Sequence, residues 1–84
     1  MKCEIVACDR TVFAAEVEFV ATRTPEGALG ILPRHAPAAF AIVGAPLHLR
    51  TPSGELTFRV RSGIVSVSPE GVIVLADFVE EPNA

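Results

Sequence analysis

Hydrophobic and polar residues alternate in short segments of this chain, and turn residues separate the segments. No window shows a sustained apolar stripe at helical spacing, so the pattern predicts an all-β chain. The predicted strands cover residues 2–7, 11–14, 16–22, 28–32, 38–43, 46–51, 55–61, 64–68 and 72–76. About eight short strands at this spacing favour a small two-sheet β-sandwich or a flattened barrel.

The alternation also predicts which side chains face the core. In the hairpin formed by residues 46–51 and 55–61, the inward side chains are predicted to be Leu47, Leu49, Leu56, Phe58 and Val60. In the predicted strand 16–22, Val17, Phe19 and Ala21 share one face. Val20 breaks that parity, which suggests a bulge or a covered second face.

Three further features of the pattern lead to structural expectations. Gly44 is expected to turn the chain between two strands. The run at 72–75 is apolar at every position, which is typical of a strand buried between two layers. Residues after Asp77 are expected to form a frayed end, so the predicted division is a domain at 1–78 and a short tail at 79–84.

Composition narrows the classes of partner. The 84 residues are enough for one domain, and 50% of them are hydrophobic, which is sufficient for one compact core. The net charge is −3 and the basic residues are scattered, so nucleic acid is not an expected partner. No apolar run reaches the roughly 20 residues that a membrane-spanning helix requires, and direct membrane insertion is not expected.

The residues that carry chemistry are few. Strand parity places Cys3 and Cys8 on opposite faces, so they are expected to be unbridged small fillers in a reducing cytoplasm. Adding His35 and His48 gives no recognisable zinc spacing, and we expect no metal. There is no nucleophile elbow and no phosphate-binding loop. We therefore expect no catalytic residues, no cofactor and no enzymatic activity in this chain.

Four segments carry a resemblance to a known family. Residues 25–37 read PEGALGILPRHAP, a turn, a short strand and a proline-stiffened crossing. The other three segments are the first predicted strands at 4–13, RSGIVSV at 61–67 and VIVLAD at 72–77. In this order, and covering almost every residue from 4 to 77, these segments resemble the ε subunit of F-type ATP synthase.

The resemblance implies a fold and a function. The fold would be the N-terminal β-sandwich domain of that subunit. The function would be a non-catalytic rotor subunit of the central stalk, which links the γ subunit to the membrane ring of c subunits and couples ion translocation to ATP synthesis and hydrolysis. The location would be peripheral, at the cytoplasmic face of the bacterial inner membrane.

The resemblance also assigns contact residues. The ring-facing loop would comprise Glu26, Gly27, Ala28, Leu29, Gly30 and Ile31. The γ-facing positions would be Ala7, Cys8, Asp9, Arg10 and His35. Two positions depart from the family pattern: Ala28 stands where many relatives carry a second acid, and Arg34 stands where Gly is usual.

Many members of the family continue into a pair of helices that restrain ATP hydrolysis. This chain stops seven residues after Asp77. We expect a naturally short form, which would couple but would not inhibit by that route; the alternative is a longer chain whose helices lie outside the given sequence.

Two other classes of function fit parts of the pattern. One is a free-standing β-sandwich module that binds another protein outside the synthase, which co-purification with γ would distinguish. The other is a small metal- or ligand-binding barrel resembling the cupins. That class needs a pocket lined by His and Glu, and those residues are scattered along this chain.

Overall fold

The computed structural model describes residues 1–34 and 36–82, and these residues form strands and turns without a helix. The strands are β1 (Lys2–Ala7), β2 (Arg10–Glu16), β3 (Phe19–Thr24), β4 (Gly27–Ile31), β5 (Ala38–Thr51), β6 (Gly54–Ser68), β7 (Gly71–Ala76) and β8 (Val79–Glu80). Their hydrogen-bonded order is β2-β1-β7-β6-β5-β3-β4, with β8 on β6. The all-β prediction is confirmed.

Two long strands convert this single hydrogen-bonded sheet into a sandwich. β5 and β6 pair in one register from Ala38 opposite Val67 to Thr51 opposite Gly54, with an interruption at Gly44. The first half of β5 and the second half of β6 belong to the first layer, with β7, β1 and β2. The other halves belong to the second layer, with β3, β4 and β8. The strand order ends at β2 and β4, so the sandwich does not close into a barrel.

The two long strands change their inward face at the same place. In β5 the inward positions are even-numbered up to Ile42 and odd-numbered from Ala45 onward. In β6 they are even-numbered up to Val60 and odd-numbered from Val65 onward. Gly44 lies at this bend with a φ of 56°, a left-handed conformation that glycine adopts without steric cost. The expectation that Gly44 turns the chain is therefore wrong: it bends one continuous strand.

The core lies between the layers. Its buried side chains are Cys3, Ile5, Ala7, Val17, Val20, Ile31, Ile42, Ala45, Leu47, Leu49, Phe58, Val60, Val65, Val67, Val72, Val74 and Val79. The predicted inward positions of the 46–61 hairpin are confirmed, although Leu56 is only half-buried. The buried hydroxyl of Thr22 donates to the Pro46 carbonyl oxygen at 2.9 Å, so its burial leaves no polar atom unpaired.

The predicted parity of β3 is wrong. Val20 and Thr22 point into the core, whereas Phe19 and Ala21 are half-buried on the opposite side. Val17 is buried in the connection before the strand rather than within it. The apolar residues on both faces made the parity ambiguous, and the backbone pairing of Val20 with Leu49 decides it.

Two other expectations also fail. Ile73 and Leu75 are 44% and 54% exposed, so β7 is covered on one face only. The end of the chain is not frayed at Val79 and Glu80, which form β8 against β6. Val79 is buried because it lies opposite Val60 and closes that end of the core.

Candidate docking surfaces

The outer face of the first layer is apolar in the part nearer the bend, whereas Lys2, Glu4 and Ser66 face outward in the part farther from it. Six side chains define this apolar face: Val6, Ala41, Val43, Ile64, Ile73 and Leu75. Val43 and Leu75 are more than half exposed, at 71% and 54%. A contiguous exposed apolar surface of this kind marks a site for a partner, because single exposed side chains are normal and clusters are not.

Strand pairing arranges four of these side chains in a row. Val6 lies opposite Leu75, Leu75 opposite Ile64, and Ile64 opposite Ala41. The row crosses four strands at right angles, so it spans about 14 Å at the usual interstrand spacing. Ile73 lies in the neighbouring row, two residues along β7. The backbone hydrogen bonds of the sheet therefore hold these apolar side chains in a fixed, flat arrangement.

The outer face of the second layer is polar. This polar face consists of Arg23, His48, Arg50, Glu55, Thr57 and Arg59, all of them exposed. Four of these side chains form pairs: His48 Nδ1 lies 3.0 Å from Thr57 Oγ1, and Arg50 contacts Glu55 at 3.5 Å. His48 is exposed to solvent. Such surface pairs contribute little to stability and are typical of a solvated face.

The β1–β2 turn lies at the bent end of the sandwich. The exposed Cys8 has a φ of 55°, and its thiol donates to the Asp77 carbonyl oxygen at 3.2 Å. Arg10 contacts Glu81 at 3.0 Å, which links this turn to the chain end. Of the predicted γ-facing residues, Ala7 is only 9% exposed, so its side chain belongs to the core. Asp9 is exposed.

Asp77 holds the same end of the sandwich together. Its carboxylate accepts from the Ser62 amide at 3.0 Å and from Arg61 Nε at 3.1 Å. Desolvation raises the pKa of this carboxyl, but the hydrogen bond and charge of Arg61, with the amides of Phe78 and Ser62, together hold the pKa below its ordinary value. The guanidinium of Arg61 also lies 5.5 Å from the ring of Phe78.

The predicted ring-facing residues form the turn and the second strand of the hairpin β3–β4, which agrees with the predicted turn and short strand at 28–32. Glu26 is exposed at its tip, where its amide donates to Thr24 Oγ1 at 3.2 Å. Ala28 and Gly30 are exposed and Leu29 is half-buried. Ile31 is fully buried, so its side chain is not available to a ring loop. For the other ring-facing residues the assignment stays a prediction.

The two predicted contact turns lie at the same end of the sandwich, in opposite layers. The Asp77 carbonyl oxygen accepts from the Cys8 thiol, and the Asp77 amide donates to the Ser62 carbonyl oxygen. Ser62 pairs with Val43, which lies next to the bend. The tip of β3–β4 approaches the same bend, where Pro25 lines a shallow surface depression with Val43. The predicted γ-facing His35 lies outside the described residues.

The two thiols differ in environment. Cys3 is fully buried, and this burial, with a smaller contribution from Glu4, raises its pKa to about 12. Both cysteines are free, but Cys8 is exposed rather than a core filler. In residues 1–34 and 36–82, no group of three or more His, Cys, Asp or Glu side chains comes close enough to hold a metal ion. The same residues contain no helix long and apolar enough to cross a membrane.

The apolar face was missed by the sequence analysis. Its signal was the uninterrupted apolar run at 72–75, which we interpreted as burial on both sides. A run of that kind predicts that both faces of a strand are covered, but it does not say whether the cover comes from the same chain. In this chain the second face has no cover among the described residues.

Comparison with known proteins supports a specific family. The family model "ATP synthase, Delta/Epsilon chain, beta-sandwich domain" matches residues 1–82. The ATP synthase epsilon chain of Dehalococcoides mccartyi is 38% identical over 80 residues, which are 95% of this chain and 57% of that protein. The epsilon chain of Mycobacterium tuberculosis is 38% identical over 82 residues, 95% of this chain and 68% of that protein.

Solved structures share the fold. A chain in the Euglena gracilis mitochondrial ATP synthase OSCP/F1/c-ring structure superposes with a TM-score of 0.86 at 20% identity, over 94% of this chain and 51% of that one. A chain in the Tetrahymena thermophila mitochondrial ATP synthase central stalk and c-ring structure gives 0.79 at 13% identity, over 95% and 65%. This chain spans between about half and two thirds of the length of these relatives. With its sandwich fold and the match over residues 1–82, the chain belongs to the family of ATP synthase δ/ε chain β-sandwich domains.

Proposed function

We propose that this chain is a non-catalytic adaptor of the ATP synthase central stalk, which binds the γ subunit and meets the ring of c subunits. It would work at the membrane periphery and help to couple ion translocation to ATP synthesis and hydrolysis. Membership of the family and the names of the epsilon-chain relatives support this assignment. The apolar face is the observation that carries it, because an adaptor needs an exposed surface that another subunit covers.

The two partners would take different parts of the molecule. The γ subunit would cover the apolar face, where Leu75 on β7 and Ile64 on β6 lie opposite each other. The ring would meet the tip of the β3–β4 hairpin, where Glu26 is exposed. An exposed ion pair from Glu26 contributes only about 0 to 1 kcal/mol, so most of the affinity would come from apolar contact with γ.

The sandwich suits a part that transmits torque. Its two layers share β5 and β6, which are 14 and 15 residues long and pair along almost their whole length. Packed interiors and continuous ladders deform little under load. Force applied at one layer would therefore reach the other through the same two strands.

The test is complex formation with the cognate γ subunit, measured by size-exclusion chromatography and titration calorimetry. The parent chain is expected to form a one-to-one complex. Leu75→Lys places a charge at the centre of the apolar face, and we expect it to weaken binding at least about tenfold. Thr57→Lys adds the same charge to the polar face and serves as the matched control, with little change expected.

Two outcomes would contradict the proposal. A folded parent chain that does not bind γ would favour the free-standing interaction module instead. Equal binding by Leu75→Lys and the parent would mean that γ does not cover the apolar face. Because Leu75 is already exposed, its replacement is expected to leave the fold intact, which thermal unfolding would verify.

A further inference from the structure

A depression lies in the outer face of the first layer, at the end farther from the bend. Lys2 on β1 and Ser68 on β6 both lie opposite Gly71 on β7. Because Gly71 has no side chain, the middle strand leaves a gap between its two neighbours. This depression, the socket, has a volume of about 170 Å³. Its lining includes Lys2, Glu4, Ser66, Ser68, Gly71 and Ile73.

The backbone fixes the gap in the socket. A Cβ atom at Gly71 would overlap the carbonyl oxygen of Lys2, so no larger residue fits there unless β1 and β7 move apart. β7 pairs along its whole length with β1 on one side and with β6 on the other. The gap is therefore present before any partner binds.

The socket combines an apolar part with polar groups at its rim. Ile73 is 44% exposed and supplies the apolar part. Lys2 and Glu4 stand on the β1 side, and neither takes part in an ion pair of the described residues. Ser66 is exposed on the β6 side. A concave apolar surface with a few polar groups around it is typical of a binding site.

The apolar face alone is too small for a stable protein interface. It is about 14 Å wide across the strands, and it is about as long between Ile73 and the level of Val43, which corresponds to roughly 200 Å² of sheet. A specific interface buries roughly 800 Å² on each partner. A protein that covers the apolar face must therefore extend beyond its margins.

The socket continues the apolar face without a break. Ile73 belongs to both surfaces, and the same three strands run from one to the other. At the opposite margin, toward the bend, the charged groups of Arg61 and Asp77 already pair with each other. A partner seated on the apolar face would therefore find unpaired polar groups on the side of the socket.

The shape of the socket favours a side chain of such a partner over a free small molecule. A small-molecule site usually buries about 70 to 90% of its ligand, whereas this depression is open on its outer side. Its volume is close to the roughly 150 Å³ of a protein cavity that holds benzene. One large side chain fits this space, and the protein that carries it would cover the open side.

We propose that the socket receives a large apolar side chain of the γ subunit and anchors the far margin of the γ interface. The inference rests on the proposed function, which places γ on the adjoining apolar face. Lys2 and Glu4 would meet γ groups of opposite charge at the rim, which would favour one orientation of the partner. Side chains that fill a pocket of this kind often carry much of the binding energy of an interface.

The test fills the socket and leaves the apolar face unchanged. Ser66→Phe places a ring beside Ile73, which lies opposite it, and we expect binding of the cognate γ subunit to weaken at least about tenfold. Ser66→Ala removes the same hydroxyl without filling the socket. This matched control is expected to bind nearly as tightly as the parent. Equal binding by Ser66→Phe and the parent, or an equal loss in both variants, would overturn the proposal.

Nuclear magnetic resonance on the unmodified chain gives an independent readout. In the complex, nuclear Overhauser effects are expected from the Ile73 methyl groups and the Ser68 β protons to one side chain of γ. Their absence at Ser68 in a complex that forms would overturn the proposal even if Ser66→Phe failed to fold. Shifts of both residues that grow with the concentration of the free chain alone would identify a second copy as the occupant, and would also overturn it.

The failures of the two proposals are distinguishable. If the parent chain binds γ and Ser66→Phe binds equally well, the socket is not occupied and the adaptor function stands. If the parent chain does not bind γ, the adaptor function itself fails. Leu75→Lys reports separately on the apolar face, because Leu75 does not line the socket.

Discussion

The outer faces of the two layers are built on the same two strands, and yet they differ in chemistry. On β6, Ile64 faces outward in the first layer and Thr57 faces outward in the second. On the polar face, charged side chains pair with each other, as Arg50 does with Glu55. On the apolar face, the hydrophobic side chains of Leu75 and Ile64 remain exposed. Since one strand supplies both faces, the difference does not come from the fold. It indicates that the polar face is exposed to solvent and that the apolar face binds a partner.

The comparison requires that the bend keeps the two faces in fixed positions. If the bend moved, the same side chains would change face, because strand parity has a period of two. The bend is held by Gly44 in β5, and by Gly63 and the contacts of Asp77 on the β6 side. Substitutions at these three positions test how firmly the two faces are joined.

The largest effect on stability is expected from Gly63→Ala. A Cβ atom at this position would lie 2.6 Å from the Leu75 carbonyl oxygen, which is backbone and has little freedom to move. We expect a loss of about 1 to 3 kcal/mol in the free energy of unfolding, measured by urea denaturation. Ser62→Ala, at an exposed neighbouring side chain, is the control and should change stability by less than about 0.5 kcal/mol. Equal effects of the two substitutions would argue against close packing of β7 at Gly63.

Gly44→Ala is expected to have a somewhat smaller effect. A Cβ atom there would meet nothing within 4 Å, so the cost would come only from the φ of 56°. Alanine in the left-handed region costs about 1 to 2 kcal/mol, and asparagine tolerates that region better. Urea denaturation should therefore rank the parent above Gly44→Asn, and Gly44→Asn above Gly44→Ala. If alanine proved as stable as the parent, the left-handed bend would not be the conformation in solution.

Much of this architecture was predictable from the sequence, and the failures have a common cause. Hairpins with polar turns, such as the one between Leu49 and Leu56, were identified because alternation and turn residues agree. Gly44 was interpreted as a turn because a bend that shifts parity in two paired strands at once leaves no local signal. The parity of β3 failed for a related reason, since Phe19 and Val20 are both apolar and only pairing with β5 decides between them.

Less of the candidate site than of the fold could be predicted from the sequence. The resemblance placed contacts in the turns around Asp9 and Glu26, and both residues are exposed. It did not indicate the apolar face, because exposure of Leu75 depends on which strands cover β7. Surfaces that arise from topology become visible only when the pairing is known.

The smallest effect is expected from Asp77→Asn, which tests the contacts that fix the end of β7 to β6. The folded-state pKa of Asp77 lies below its ordinary value of 3.8. Its carboxylate therefore stabilises the fold above the unfolded-state pKa, and this contribution is lost as the pH falls through the folded-state pKa. The stability difference between the parent and Asp77→Asn should be largest near neutral pH and should shrink below pH 3.8, measured by urea denaturation across a pH series.

Asp9→Asn is the matched control, because Asp9 is exposed at the same end of the sandwich and takes part in no ion pair of the described residues. Its pH dependence should differ less from that of the parent. High salt should reduce the Asp77 effect only in part, since the Ser62 amide donates to the carboxylate as well as Arg61. If Asp77→Asn had the same pH profile as the parent, the Asp77 carboxylate would not fix the bend. The fixed geometry of the two faces would then rest on Gly44 and Gly63 alone.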